Sequence, residues 1–228
     1  MGASTATTAA GQSNGASGTA LNYLQYPGDV DVDSNGDIYV TDSINNRALF
    51  WASGASSGTI IAGSGTAGSL NNQLNLPYGF ARDLSSGTRY IADYSNHRIM
   101  SYLPGSTNGT VIAGGNGSGT SSTQLMNPIG LCFDSSSNSL LIANYGAHNI
   151  VRWVLGATSW TLVAGITGSA GSTSTQLNSP MDVTLDSMGN IYVADSSNHR
   201  IQFFLAGQSN GTTIAGITAV GGFGIIAV

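Results

Sequence analysis

Apolar residues along the chain recur at every second position in short runs. Val30 and Val32 are followed by Ile38 and Val40, then Leu49 and Trp51, then Ile60 and its neighbours. A period of two sends successive side chains to opposite faces of an extended strand, whereas a helix would need a period near 3.6. Between the runs lie Gly, Ser, Asn and Asp, the residues that turns select. Each group of runs therefore predicts four short strands. Asp33-Ser34-Asn35-Gly36-Asp37 reads as a hairpin turn in which Asn-Gly supplies positive backbone dihedrals, and Asn108-Gly109 and Asn210-Gly211 are expected to do the same. No stretch sustains a helical stripe, so the chain is predicted to be all-β.

The group repeats every 51 residues. Asp42, Asp93, Asn144 and Asp195 keep that interval, as do the aromatic positions Trp51, Tyr102, Trp153 and Phe204 and the endings Ile61-Ala62-Gly63, Ile112-Ala113-Gly114, Val163-Ala164-Gly165 and Ile214-Ala215-Gly216. Pro27, Pro77, Pro128 and Pro180 open units spanning 27–63, 77–114, 128–165 and 180–216. Tandem units of four antiparallel strands predict β-propeller blades, each burying its faces on its neighbours. Thr7-Thr8-Ala9-Ala10-Gly11 matches Thr212-Thr213-Ile214-Ala215-Gly216, so residues 1–26 are expected to carry an outer strand and loop of a preceding blade. Residues 217–228 match an inner strand of a following one, as in Tyr78-Gly79-Phe80. Four complete blades with one flanking strand at each end predict an incomplete ring with edges open to self-association. Closing it with these pieces would leave a gap of roughly 10 Å, about two strand spacings. The alternative is that the terminal strands pair as a reduced fifth blade.

In the fourth unit, Gly189-Asn190-Ile191-Tyr192-Val193-Ala194-Asp195-Ser196-Ser197-Asn198-His199-Arg200-Ile201 resembles the NHL-repeat consensus almost letter for letter. Arg89-Tyr90-Ile91-Ala92-Asp93-Tyr94-Ser95-Asn96-His97-Arg98-Ile99 is similar to it, while Asn45-Asn46-Arg47 and Ala147-His148-Asn149 are weaker versions. The double glycine of kelch repeats is not in its place, and the WD dipeptide is absent. The resemblance implies a propeller, in relatives usually of six blades. It also brings one catalytic relative into view, the peptidylglycine amidating lyase, whose zinc is held by histidines directly after the inner-strand proline. Those positions here are Gly28, Tyr78, Ile129 and Met181, so no such zinc site is expected, since a catalytic zinc takes about three protein ligands.

All six basic residues are arginines and all eleven acids are aspartates, giving a net charge of −5. That balance disfavours nucleic acid, which needs clustered cations to displace its counterions. A polybasic membrane patch and a spanning apolar run are missing too. Cys132 is the single cysteine and reads as a small buried hydrophobe. Asn108, Asn116 and Asn210 stand in Asn-x-Ser/Thr sequons, which together with the Ser, Thr and Gly content point towards an extracellular or secreted glycoprotein. Residues 1–26 are rich in Ala, Gly, Ser and Thr and lack the apolar centre that a leader peptide would carry.

The recurring His97, His148 and His199 could be drawn as ligands of an axial metal, but they lie in the turn between second and third strands and should sit one per blade. A structural role is expected for them. Asp42, Asp93 and Asp195 should face Arg47, Arg98 and Arg200, and in the third unit both partners change together, to Asn144 and Asn149. Asp31 and Arg82 replace small or apolar residues on adjacent inner strands and are expected to pair. Any ligand should enter where the loops before the inner strands converge, at Tyr26, Asp29, Tyr78, Ile129, Met181 and Asp182. No catalytic residue, metal or cofactor is assigned. The sequence therefore predicts a non-catalytic binding or scaffolding module for protein, peptide or glycan partners. The alternative is a fragment of a metal-dependent propeller lyase or hydrolase with its site partly in missing blades.

Overall fold

The computed structural model describes residues 7–216. Among them are sixteen strands in four antiparallel sheets, each ordered first to fourth along the chain. Blade 1 holds β1 (Pro27–Val32), β2 (Ile38–Asp42), β3 (Arg47–Trp51) and β4 (Thr59–Ala62). Blade 2 holds β5 (Pro77–Arg82), β6 (Arg89–Asp93), β7 (Arg98–Tyr102) and β8 (Thr110–Gly114). Blade 3 holds β9 (Pro128–Asp134), β10 (Ser139–Asn144), β11 (Asn149–Val154) and β12 (Thr161–Gly165), and blade 4 holds β13 (Pro180–Leu185), β14 (Ile191–Asp195), β15 (Arg200–Phe204) and β16 (Gly211–Gly216). The inner strands β1, β5, β9 and β13 pack side by side in chain order. This is the all-β propeller arrangement that the repeat predicts.

Alternation along the strands supplies one apolar core per blade interface. Ala48 and Ala62 meet Phe80, Ile91, Met100 and Tyr102 between blades 1 and 2. Tyr90, Ala92 and Ile99 meet Leu131, Leu140, Ile142, Val151 and Trp153 between blades 2 and 3. In β10, Leu140 and Ile142 serve that interface, whereas Leu141 and Ala143 point the other way onto Val183, Val193 and Phe204 of blade 4. Each large apolar side chain so buried contributes about 2 kcal/mol.

Two expectations need correction. Residues 7–11 form no strand. An outer strand is held by a third strand of its own blade, and no strand precedes β1 among the described residues. The segment lies instead beside β1, where Ala9 and Ala10 line a cavity with Val30 and Val40. The inner strand expected over 217–228 lies outside the described residues. The Asn-Gly turns also differ. Only Gly36 has positive φ in the first, at 79°, closing a turn in which its N–H donates to the Asp33 carbonyl. Gly109 and Gly211 are not left-handed, that role falling to Gly105 and Gly207. They are glycines because a Cβ there would meet the rings of Tyr102 and Phe204 at 2.7 and 2.8 Å.

The paired ends of second and third strands carry a buried ionic cluster. Arg47, Arg98 and Arg200 donate through Nε to Asp42, Asp93 and Asp195 at 2.8, 2.7 and 2.7 Å. Each guanidinium then reaches three carbonyls of the loop before its own inner strand, as Arg98 does to Ser69, Leu70 and Gln73. Asp93 also accepts from the Asn75 backbone N–H at 2.7 Å. The ion pair thus fastens the incoming loop to the blade. In blade 3 the cluster is neutral. Asn144 still accepts from the Met126 N–H, but Asn149 is too short to span the loop. Trp160 stands where the other blades have Gly58, Gly109 and Gly211, and its Nε1 donates to the Gln124 carbonyl at 2.8 Å. That carbonyl is the repeat equivalent of the ones Arg98 and Arg200 hold at Gln73 and Gln176. Indole replaces guanidinium at this contact, leaving Asn144 Nδ2 and Asn149 Oδ1 buried without partners.

The expected Asp31–Arg82 pair is formed across blades 1 and 2 at 2.5 Å, with the guanidinium stacked over the Tyr39 ring at 4.1 Å. Arg82→Leu should therefore destabilise the protein by about 1 kcal/mol more than Arg82→Leu combined with Asp31→Ala, because the single change strands a partly buried carboxylate. Denaturant unfolding of both measures this, and equal losses refute the coupling. For blade 3, Asn149→Arg alone buries an uncompensated charge against Trp160 and should cost about 3 kcal/mol or more. Adding Asn144→Asp and Trp160→Gly should recover most of that loss in the same assay.

Candidate axial binding site

The first residues of all four inner strands converge on one cavity of about 310 Å³. Its walls include all six residues that the sequence places at the channel mouth, Tyr26, Asp29, Tyr78, Ile129, Met181 and Asp182, together with Pro27, Gly28, Gly79 and Gly130. The backbone that delivers them is unusual. The residue before each inner-strand proline is left-handed, with φ of 56° at Tyr26, 50° at Leu76, 52° at Asn127 and 52° at Ser179. Residues preceding proline normally stay extended, and a non-glycine residue in this region carries strain of about 1 kcal/mol or more.

At Leu76, Asn127 and Ser179 that strain is held by the preceding blade. His97 Nδ1 accepts the Asn127 N–H and His148 Nδ1 accepts the Ser179 N–H, both at 3.1 Å. Asn46 Oδ1 accepts the Leu76 N–H at 3.0 Å. These three acceptors are themselves left-handed, in the turn between second and third strands. The histidines thus sit singly in blades 2, 3 and 4, and His97 and His148 latch their own blade to the next. Sequence reasoning placed them in a structural role but missed the partner, which lies 30 residues onward for His97. Ser43 and Thr41 of blade 1 add hydrogen bonds to the Pro77 and Tyr78 carbonyls, both at 2.5 Å.

Two carboxylates face this cavity. Asp29 accepts from its neighbour Val30 N–H and from the Phe80 N–H of the next blade, both at 2.8 Å. Burial among these strands, with added repulsion from Asp182 and Asp31, pushes its pKa up to about 6. Asp182 accepts from the Val183 N–H at 2.9 Å; the residue as a whole is exposed, but the protein on one side of its carboxylate raises its pKa as well. At the same repeat position blades 2 and 3 have Gly79 and Gly130. A Cβ on Gly130 would meet the Cα of Asp182 at 2.6 Å, so the inner strands close tightly there.

Tyrosines extend from the cavity across the face. Tyr26 is 65% exposed and meets Tyr78 edge-on at 6.5 Å; Tyr78 meets Tyr94 at 5.2 Å; Tyr94 lies 6.4 Å from Tyr145. Tyr94 and Tyr145 were not singled out in the sequence, although each directly follows the 51-residue marker at Asp93 or Asn144. A second cavity of about 440 Å³ lies on the flank of blade 1 and is lined mainly by apolar groups such as Ala9, Leu24, Val30 and Val40. It draws on one blade only. Cys132 is half-buried against the core between blades 3 and 4, where burial raises its thiol pKa. Among the described residues no three His, Cys, Asp or Glu side chains group as metal ligands, and no helix is long and apolar enough to cross a membrane.

Sheets, inner-strand convergence and an axial cavity together define a β-propeller. The family model for the NHL repeat matches residues 24–47 and 177–204, in blades 1 and 4. No curated protein matches the chain. Among solved structures it is similar to a chain of the nidogen/laminin complex, with a TM-score of 0.60 and 21% identity over 83% of this chain and 64% of that one. It is similar to an auxiliary nutrient binding protein from Bacteroides ovatus, with a TM-score of 0.62 and 18% identity over 88% and 49%. A structural-genomics protein of unknown function from Bacteroides thetaiotaomicron gives 0.56 and 14% over 94% and 64%. The chain spans between 49% and 64% of the length of these neighbours, and at such identities the likeness is one of fold.

The raised Asp29 sets a pH signature. Its folded pKa of about 6 stands above the ordinary 3.8, so its contribution to stability is complete below about pH 4 and is lost as pH rises through 6. Between pH 4 and 7 the wild type should lose about 2 kcal/mol relative to Asp29→Asn in urea unfolding. A difference that stays flat over that range would show an ordinary carboxylate.

Proposed function

We propose that this chain is a non-catalytic binding or scaffolding module whose axial face takes a protein, peptide or glycan partner. The observation that carries this reading is the convergence of six predicted mouth residues, one or more from every blade, on a single cavity bordered by a tyrosine row. Tyrosine suits recognition because a rigid ring offers a large contact area together with a polar end. The frame beneath is fixed by buried ion pairs and latches, so the face is organised before a ligand arrives, which lowers the entropy cost of binding. A net charge of −5 and two carboxylates at the mouth oppose a nucleic acid partner.

An extracellular setting fits the three sequons, whose Asn108, Asn116 and Asn210 are all exposed. The flank of blade 1 exposes Val30 and Val32 at 61% and 56%. An apolar strip of that kind supports association with further blades, in another copy or another segment.

Screening the chain against peptide and glycan arrays, with a Tyr26→Ala/Tyr78→Ala variant in parallel, tests the reading. At least one class of ligand should be retained, and the variant should bind it about tenfold more weakly or worse. Retention of nothing, or equal retention by the variant, would overturn it.

A further inference from the structure

The eleven aspartates divide cleanly by what satisfies them. Asp42, Asp93, Asp134 and Asp195 are each paired with an arginine, and Asp31 and Asp33 share Arg82. Asp37, Asp83 and Asp186 sit at hairpin turns and accept from local backbone, serine or asparagine groups. That leaves Asp29 and Asp182. Each accepts only backbone N–H groups, and both line the axial cavity.

The chain has no side-chain cation left to offer them. It contains no lysine, and five of its six arginines are committed to the ion pairs above. The sixth, Arg89, is buried at the hairpin end of β6 and donates to the Leu103 and Ser106 carbonyls. Nor does blade packing require an acid at this position, since Gly79 and Gly130 occupy it in the two middle blades. Two carboxylates therefore line one cavity without a cationic partner, the charge of Asp182 adds to the cost of ionising Asp29, and a cation between them would be attracted to both. Tyr26 and Tyr78 border the same space and present ring faces and edges to whatever enters.

We propose that the axial cavity receives a cationic group of the partner, a primary ammonium or a guanidinium, bound between Asp29 and Asp182 and flanked by Tyr26 and Tyr78. The inference rests on the binding reading above and names the chemistry of its ligand. Both cations match the site in the same way. They donate several hydrogen bonds to carboxylate oxygens in charge-assisted contacts, and their charge is attracted to tyrosine ring faces. A neutral sugar would need donors as well as acceptors around it. Bare calcium needs six or more oxygen ligands, and the described residues supply no third ligating side chain here.

The test is an NMR chemical-shift titration of the isotope-labelled chain with acetyl-Gly-Lys-Gly-amide and acetyl-Gly-Arg-Gly-amide, set against acetyl-Gly-norleucine-Gly-amide. Saturable shifts should appear at Tyr78, Ile129 and Met181 for the basic peptides, with affinity about tenfold above that of the norleucine peptide. The Asp29→Asn/Asp182→Asn variant, checked for an unchanged spectrum elsewhere, should lose that preference. Equal binding of the norleucine peptide, full binding by the variant, or saturation by calcium chloride in place of the peptides would overturn the inference. A ligand from the arrays that depends on Tyr26 and Tyr78 but carries no cation and ignores both aspartates would leave the binding reading standing and remove this one. Absence of any ligand in either experiment removes both.

Discussion

The fold hangs on a buried aspartate and arginine pair that joins the second and third strands of a blade to the loop entering it. Asp195 and Arg200 are almost fully excluded from solvent, and their contact at 2.7 Å is one of several each group makes. Arg200 also gathers the carbonyls of Ser172, Thr173 and Gln176, while Asp195 takes the backbone N–H of Asn178. A buried ion pair as such adds little, because desolvation offsets the attraction. What this one supplies is an anchor for the entering loop, whose carbonyls at Ser172, Thr173 and Gln176 all accept from one guanidinium. The loop so fixed ends at the strained residue before the inner-strand proline, which the latch from the preceding blade then holds. Geometry at the axis is therefore set by contacts made away from it.

Blade 3 shows that the strand register does not depend on the charge. Its aspartate and arginine are both asparagine, its Asn96 equivalent is Ala147, and yet its strands keep the register of the others, Asn144 facing Asn149. Trp160, at a position elsewhere kept as glycine by the ring packed on it, meets the Gln124 carbonyl. Four substitutions thus occur together in this one blade. Charge is removed from both partners together, since either one alone would be left uncompensated in the interior. The residual orphan atoms on Asn144 and Asn149 mark how far the exchange falls short of the ionic version.

Much of this was legible in the sequence because it repeats. The interval of 51 residues placed the strands, the ion pairs and the channel mouth, and the paired change at Asn144 and Asn149 revealed a contact without coordinates. Long-range partners were less accessible. Nothing local to His97 shows that its ring will accept a hydrogen bond from Asn127, because the link depends on how one blade is set against the next. Left-handed backbone at Tyr26 and Leu76 was equally hidden, since neither residue type favours it and the following proline opposes it. The Asn-Gly pairs misled for a related reason. Gly109 and Gly211 are glycine for space beside an aromatic ring, so their flexibility is incidental, and only tertiary contact distinguishes the two uses.

The axial position two residues after each proline brings stability and recognition into conflict. Glycine there lets adjacent inner strands approach until no Cβ fits, as at Gly130 against Asp182, and costs nothing electrostatically. Aspartate at 29 and 182 gives up that economy for carboxylates whose ionised forms are disfavoured where they stand. Asp29 recovers part of the loss by accepting the Phe80 N–H of the neighbouring blade, but an asparagine could accept the same bond without a charge. Residues that burden the folded state and face a cavity are the ones function retains. The two acids thus separate the scaffold, in which every other aspartate is paired with an arginine or held at a turn, from the face that the scaffold holds in place.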